Sequence, residues 1–225
     1  LDARVVSEKP ELARHLSTIC LSPVRLAFDF VTPSMERAYR EAVELLSDQG
    51  FVEFTTYLLF NFQDTPEDFY HRLMVNVELN EQLRIRITGF PMRFVPMSAV
   101  RRDYVSQNWT WRYLRGIQCV LLATRGLISP NPEFTRAAFG ETYEEFLEIL
   151  AMPDRYIIHR KAHKADGANE WRKHYRALSP QQKAEFLDLL AVLNGDRNKR
   201  RTISTLGRYR DLLEHYYPEG SLPDP

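Results

Sequence analysis

The sequence predicts an α/β fold in which about four parallel strands are followed by an α-helical C-terminal region. Through the first ninety residues, short β-branched or aromatic runs alternate with amphipathic helical runs, which is typical of right-handed βαβ units. After residue 105 the strand signal ends, so we expect a strand-containing domain over 1–105 and a helical region over 106–225. A closed (βα) barrel needs eight strands and roughly 250 residues, so four strands form either part of a barrel or a small open sheet.

Four segments carry the strand signal. They are residues 4–6, 24–30, 53–62 and 84–88, each rich in β-branched or aromatic side chains. The third segment, EFTTYLLFNF, is almost continuously apolar, which predicts a strand that is covered on both faces. Together the four segments predict a parallel sheet whose carboxyl ends share one edge.

Helical spacing of apolar residues and boundary signals predict the helices. Thr32 and Pro33 form a start signal and Gly50 a stop. Asp64 is the expected capping residue of the next helix, with Pro66 in its first turn. The predicted helices cover residues 10–19, 33–49, 66–79, 109–127, 142–152, 180–193 and 202–216, and residues 128–140 are predicted to form a loop.

Composition excludes several broad functional classes. Lys+Arg and Asp+Glu are 30 each, so net charge predicts neither nucleic-acid nor membrane binding. No apolar run is long enough to cross a bilayer, and the first residues lack the apolar stretch of a signal peptide. The cysteines, Cys20 and Cys119, are far apart in apolar contexts, which predicts no disulfide framework or metal motif and is typical of a reducing cytoplasm. His159 and His163 have helical spacing, but Arg160 stands where a zinc protease has Glu.

The stretch TYLLFNFQDTPEDFYHR, residues 56–72, joins a strand, an acidic turn and a helix start. It resembles the fifth strand and following helix of radical SAM enzymes, where the strand commonly ends in G-x-I-x-G-x-x-E. Tyr57 and Asn61 fall on the two glycines, and Leu59 and Asp64 fall on the isoleucine and the glutamate. Asn61 is a mild departure, because asparagine tolerates a left-handed backbone, whereas Tyr57 is a larger one.

Three flanking segments resemble the same family in the same order. Residues 1–4, LDAR, resemble an I-D-A-R run at the end of the third strand, and residues 24–30 resemble the fourth strand with Asp29 at its end. Residues 89–96, GFPMRFVP, resemble the sixth-strand exit F-P-M-R-Y-x-P. The resemblance covers residues 1–100 and implies the C-terminal half of a (βα) barrel, so it favours the partial barrel over the open sheet.

The resemblance also implies a function. Radical SAM enzymes bind S-adenosylmethionine across the carboxyl ends of the strands, and a [4Fe–4S] cluster reduces it to a 5′-deoxyadenosyl radical that abstracts hydrogen from the substrate. A C-x-x-x-C-x-x-C loop holds the cluster, and two isolated cysteines cannot supply three thiolate ligands. We therefore expect a cytoplasmic C-terminal portion that contributes to the S-adenosylmethionine site and to the site of an unknown substrate, and that is inactive alone.

Strand ends at the carboxyl edge are where α/β folds place ligands, and the resemblance makes them candidates for S-adenosylmethionine binding. Asp29 suits ribose hydroxyls, and Arg4 or Arg93 suits a carboxylate. The family also implies that main-chain groups of residues 90–93 contact adenine. The candidate cofactor-binding residues are Asp2, Arg4, Asp29, Asn61, Asp64, Phe90, Met92 and Arg93. No catalytic residue and no metal ligand is identified.

Several candidates also have a purely structural interpretation. Asp64 is then a helix cap, and this interpretation is favoured over ligand contact. Arg4 and Asp29 would form an ion pair across neighbouring strands, an interpretation of equal weight to a ligand role. Arg93 would make a surface contact beside Pro91.

The alternative function is a non-catalytic module that binds a partner or a nucleic acid. Residues 155–176 are basic, with Tyr156, Trp171 and Tyr175 interleaved, a composition found in nucleic-acid interfaces. The same aromatic residues also suit helix packing. The coding region upstream of Leu1 separates the two functions, because only the first requires a half that contains C-x-x-x-C-x-x-C.

Overall fold

A three-stranded parallel sheet forms the centre of the α/β fold in the computed structural model, which describes residues 1–19, 22–101, 103–158, 167–195, 198 and 207–217. The strands are β1 (Val24–Ala27), β2 (Glu53–Phe60) and β3 (Arg86–Arg93), and they lie in the order β1-β2-β3. Both pairings are parallel. The predicted α/β class with a parallel sheet is confirmed, with three strands within the described ranges where about four were expected.

Helices make up most of the remaining structure. They are α1 (Ala3–Glu8), α2 (Glu11–Ile19), α3 (Pro33–Asp48), α4 (Pro66–Leu83), α5 (Trp111–Ala123), α6 (Pro132–Phe139), α7 (Tyr143–Ala151), α8 (Asp154–Ile158), α9 (Asn169–Arg176), α10 (Pro180–Gly195) and α11 (Arg210–Glu214). In the described part of the chain, no helix is both long enough and apolar enough to cross a membrane.

The chain divides into two compact units. The first contains Leu1–Trp109 and Ala123–Tyr143, and the second contains Thr110–Leu122 and Glu144–Pro225. The first unit therefore holds the sheet with α1–α4 and α6. The second is built from helices.

The sheet of the first unit is buried on one face. Along β2, Phe54, Thr56, Leu58 and Phe60 are buried, and the residues between them are half-buried or exposed. The hydroxyl of Tyr39 on α3 lies 2.6 Å from Thr56 Oγ1 and donates to Asn76 Oδ1 on α4 at 2.7 Å, so both helices cover this face. The prediction that β2 is covered on both faces is wrong, because its alternate side chains remain accessible.

Local signals explain the helix boundaries in this unit. Thr32 caps α3, accepting a hydrogen bond from Met35 N, and Pro33 lies in the first turn. Thr65 and Asp68 form a reciprocal capping box at the start of α4. The N-cap of α4 is therefore Thr65, one residue later than the predicted Asp64.

Three further sequence predictions are wrong in this unit. Residues 4–6, predicted as a strand, lie within α1, and residues 128–140, predicted as a loop, contain α6. β3 runs on through Pro91 to Arg93. Gly89 N donates to Ile128 O on the outer edge of β3. Main-chain groups of alternate residues point to the same edge of a strand, so Pro91 faces this outer edge too. Because no described strand pairs with that edge, the missing N–H of Pro91 breaks no hydrogen bond of the sheet.

The second unit has an aromatic core. Trp171 is stacked on Tyr175 with ring centroids 4.7 Å apart, and Phe186 packs against both Tyr175 and Tyr216. At the start of α5, Arg112 donates to Leu150 O and to Asp154 Oδ1. These contacts tie α5 to the C-terminal end of α7 and to α8. The predicted helix over 202–216 lies partly outside the described residues, and its described part contains α11.

Candidate functional site

The carboxyl edge of the sheet brings three of the candidate residues together. Asp29 lies two residues beyond β1, Asn61 directly follows β2, and Arg93 is the last residue of β3. The Asp29 carboxylate accepts a hydrogen bond from Leu59 N at 3.3 Å, so it lies against the end of the neighbouring strand. Asp29 is half-buried and remains accessible to a ligand.

Asn61 is a buried junction with a left-handed backbone. Its φ is 66°, a conformation that asparagine adopts more readily than most residues. Its side-chain amide donates to Phe94 O at 3.0 Å and to Tyr104 O at 3.2 Å, and its carbonyl oxygen accepts from Ser106 N at 2.9 Å. Asn61 therefore links the main chains of Phe94, Tyr104 and Ser106 to the end of β2.

Asp64 and Arg72 form a buried ion pair beneath this edge. Arg72 Nη2 donates to Asp64 Oδ2 at 2.8 Å, and the Arg72 side chain has no exposed surface. Burial raises the pKa of Asp64 and lowers the pKa of Arg72, even though each charge favours the other. In its effect on both pKa values, the loss of hydration on burial therefore outweighs the attraction between the two charges.

Arg72 also joins the exits of two strands. Its Nη1 donates to Phe28 O at 3.1 Å and to Asp29 O at 2.6 Å, and its Nε donates to Asp68 O at 3.1 Å. The guanidinium thus links the end of β1, the turn after β2 and the first turn of α4. The main chain of Asp29 is held by this residue.

Trp109 closes the other side of Asp64. Its indole Nε1 donates to Asp64 O at 3.0 Å, and its ring packs against Phe60 and Phe69. The Asp64 carboxylate also accepts from Phe62 N at 3.0 Å. Both carboxylate oxygens of Asp64 are therefore bonded within the protein. The predicted capping role is wrong, because Thr65 is the N-cap of α4.

Asp2 and Arg4 do not lie at a strand end. Asp2 caps α1 by accepting from Arg4 N, and its carboxylate pairs with the Arg4 guanidinium at 2.6 Å. This pairing with Arg4 lowers the pKa of Asp2. The ion pair suggested between Arg4 and Asp29 is replaced by this local one.

Phe90 and Met92 project from the accessible face of β3, where they are 42% and 36% exposed. Their main chains pair with Tyr57 and Leu59 of β2. Arg93 Nη2 donates to Tyr104 O at 2.7 Å, so its guanidinium is bonded to the main chain of Tyr104 instead of making a surface contact beside Pro91.

Sequence reasoning missed three residues that build this edge. Arg72, Tyr104 and Ser106 hold the strand exits in place, and Ser106 Oγ is buried without a hydrogen-bond partner in the described ranges. For Arg72 a signal existed, because it lies four residues after Asp68 and eight after Asp64 in a helix that begins beside the sheet. The other two lie in an irregular segment with no periodicity to interpret.

The described residues contain no group of three His, Cys, Asp or Glu side chains that could hold a metal ion. Cys119 is buried, and burial raises its pKa to about 11, so it is a poor thiolate donor. A [4Fe–4S] cluster needs three such ligands, which this part of the chain does not provide. Cys20, His159 and His163 lie outside the described residues.

The basic segment 155–176 is described only at its two ends. There Tyr156, Trp171 and Tyr175 are buried, with at most 3% of their surface exposed. Two of its arginines, Arg172 and Arg176, form ion pairs with Glu148. The aromatic side chains pack the second unit, as their helix-packing interpretation predicted, and are not accessible for stacking on bases.

Comparisons with known proteins identify no family for this chain. No protein-family model, no curated protein and no solved structure matches the chain.

Proposed function

We propose that this chain is the C-terminal portion of a radical SAM (βα) barrel enzyme, contributing part of the S-adenosylmethionine and substrate site. The observation that carries the proposal is a sheet of three sequential parallel strands with α3 and α4 on one face and the other face accessible. Parallel sheets are almost always covered on both faces, and closing a barrel with further strands covers the inner one.

The backbone at Asn61 supports the same proposal. In the family pattern this position is a glycine, the residue that adopts positive φ most readily, and here φ is 66°. Tyr57, at the other glycine position, places its ring on the accessible face, where it meets Phe90 at a centroid distance of 5.5 Å. The larger side chain therefore changes the inner surface and not the strand path.

The edge of β1 offers a place for the preceding barrel strand. The Leu1 nitrogen donates to Arg25 O at 2.7 Å, on the edge of β1 that faces away from β2. In the proposed enzyme the preceding strand and those before it supply the C-x-x-x-C-x-x-C loop, and the chain alone is inactive.

In the proposed enzyme, Asp29 would hold the ribose, and main-chain groups of residues 90–93 would hold the adenine. Asn61, Asp64 and Arg93 would act as positioning residues, because their side chains are already bonded within the protein. S-adenosylmethionine supplies the radical once a reduced cluster is present. The residues of this chain bind and orient it.

The proposal is tested by titrating the chain with S-adenosylmethionine and following amide resonances by NMR. We expect saturable shifts at Asp29, Asn61 and residues 90–93, with a Kd on the order of millimolar because half of the site is missing. Asp29→Ala should weaken binding at least threefold, while the control Asp48→Ala, an exposed acid at the end of α3, should not. An absence of shifts at this edge, or equal affinity for both variants, contradicts the proposal.

Nucleic-acid binding through the aromatic side chains of residues 155–176 is disfavoured. The three aromatic residues that motivated it are buried in the second unit, and base stacking requires accessible rings.

A further inference from the structure

A groove of about 370 Å³ lies on the accessible face of the sheet. It crosses all three strands in their amino-terminal half, and Arg25, Thr55 and Thr88 lie at the same level in register. Asp29 is four residues further along β1, about 13 Å at the rise of a strand. The Arg25 end of the groove is therefore distant from Asp29, while its other end includes Phe90, one of the candidate cofactor-binding residues. Small-molecule sites commonly have this volume.

Four polar side chains in the groove lack partners among the residues that the structure describes. Among the described residues, Arg25 forms no ion pair, and no hydrogen bond engages the hydroxyls of Thr55, Tyr57 or Thr88. This contrasts with the buried face of the same strands, where the Thr56 hydroxyl is bonded to Tyr39. A guanidinium and three hydroxyls thus converge on one cavity and remain available to a ligand.

The groove carries an excess of positive charge. Arg25 and Arg86 contribute two cations, and Glu53 contributes one carboxylate, which lies a loose 3.8 Å from Arg86. Arg25 is left uncompensated. A planar guanidinium binds a carboxylate through two parallel hydrogen bonds, so the groove favours an anion of that shape.

Aromatic and apolar side chains form the rest of the groove. Tyr57 and Phe90 meet edge to face with centroids 5.5 Å apart, and Leu127, 39% exposed, forms a wall beside them. A flat ring packed against Tyr57 and Phe90 gains apolar burial and an aromatic contact. The groove thus combines an apolar slot with a cation at one end.

We propose that this groove binds a small aromatic carboxylate, with its ring against Tyr57 and Phe90 and its carboxylate on Arg25. The Thr55 and Thr88 hydroxyls donate to the same carboxylate. This binding does not rest on the proposed function. A covering polypeptide is the competing occupant, and it would recognise the apolar slot without needing a carboxylate at Arg25.

The experiment is calorimetric titration of the whole chain with 2-naphthoate and with the uncharged 2-naphthamide. We expect saturable one-to-one binding of naphthoate, weakened about tenfold or more by Arg25→Met and by replacing the probe with naphthamide, since a charge-assisted hydrogen-bond pair is lost in each case. Tyr57→Ala should also weaken it. The control is Arg14→Met, which removes an exposed arginine on α2 and should leave the affinity unchanged.

Two outcomes overturn the inference. One is an absence of saturable naphthoate binding to the folded wild-type chain. The other is an affinity that depends neither on Arg25 nor on the charge of the probe, which would assign the face to an apolar polypeptide. Arg25 is exposed, so its substitution should not prevent folding, and Thr88→Val provides a second variant that should weaken binding. The proposed function is tested by the effect of Asp29→Ala on S-adenosylmethionine binding, and this inference by the effect of Arg25→Met on naphthoate binding. Either proposal can therefore fail while the other stands.

Discussion

Arg72 is the residue on which the carboxyl edge most depends. It is fully buried and donates to Asp64, Phe28 O, Asp29 O and Asp68 O. Four acceptors lose a hydrogen bond if this side chain is replaced by an apolar one. The penalty for a buried acceptor left unpaired is larger than the net value of the bond that it made.

Arg72→Met should lower the free energy of unfolding by about 3–5 kcal/mol, because it leaves the Asp64 carboxylate buried without its cation. In that background Asp64→Asn should cost less than it does in the wild type, since the uncompensated charge is then removed. Urea unfolding of the two single variants and the double variant measures this coupling. Strictly additive effects would show that the two residues do not act as a pair.

At the scale of single residues, the sequence predicted conformation better than contacts. The sequence predicted that Asn61 tolerates a left-handed backbone, because this tolerance depends on the residue type alone. The φ of Asn61 is 66°. The ion-pair partners of Arg4 and Asp64 could not be predicted from the sequence. Arg4 pairs with Asp2 and Asp64 with Arg72, and these choices depend on which elements meet in space.

At the scale of elements, most helices and strands could be predicted because their apolar periodicity is clear. The exceptions have physical causes. Residues 4–6 carry two valines, but a cap at Asp2 and packing of α1 on α3 override their strand propensity. α6 was missed because Pro132 and Gly140 are signals both for loops and for helix ends.

The contact of α5 with α7 depends on a glycine. A Cβ on Gly116 would lie 2.4 Å from Leu150 O and 2.6 Å from Leu150 Cα, and backbone atoms cannot move aside cheaply. Gly116→Ala should therefore lower stability by about 1–3 kcal/mol or more, despite the better helix propensity of alanine. Thermal unfolding followed by circular dichroism measures the change.

Gly195 provides the matched control for that substitution. It is the last residue of α10, and a Cβ there meets nothing within 4 Å. Gly195→Ala should be neutral or slightly stabilising, because alanine restricts the unfolded chain. Equal effects of the two substitutions would mean that the close approach at Gly116 has no energetic weight.

At the scale of the whole molecule, the parallel sheet could be predicted from the strand–helix alternation, but its accessible face could not. The apolar run of β2 includes Tyr57 and Leu59, which suggests burial on both sides, yet both are half-buried on the accessible face. A sequence pattern reports that a side chain suits an apolar environment. It does not report whether this part of the chain provides that environment.

Stability of the second unit should fall as the pH is lowered from 7.5 to 5. Burial lowers the pKa of His215, an effect supported by Arg155 and His174 and opposed by Glu170 and Glu214. The unfolded state then takes up a proton at higher pH than the folded state, so the free energy of unfolding is constant above about pH 6.5 and decreases below it until the folded imidazole also titrates.

Urea unfolding at several pH values, followed by the fluorescence of the buried Trp171, measures this dependence. His215 Nδ1 lies 2.8 Å from the Tyr156 hydroxyl, and His215→Gln keeps a polar group there while removing the titration. That variant should flatten the decrease between pH 6.5 and 5, whereas His15→Gln, at an exposed histidine of α2 in the first unit, should leave it unchanged. A decrease of the same slope in both variants would mean that other groups control the acid sensitivity of this unit.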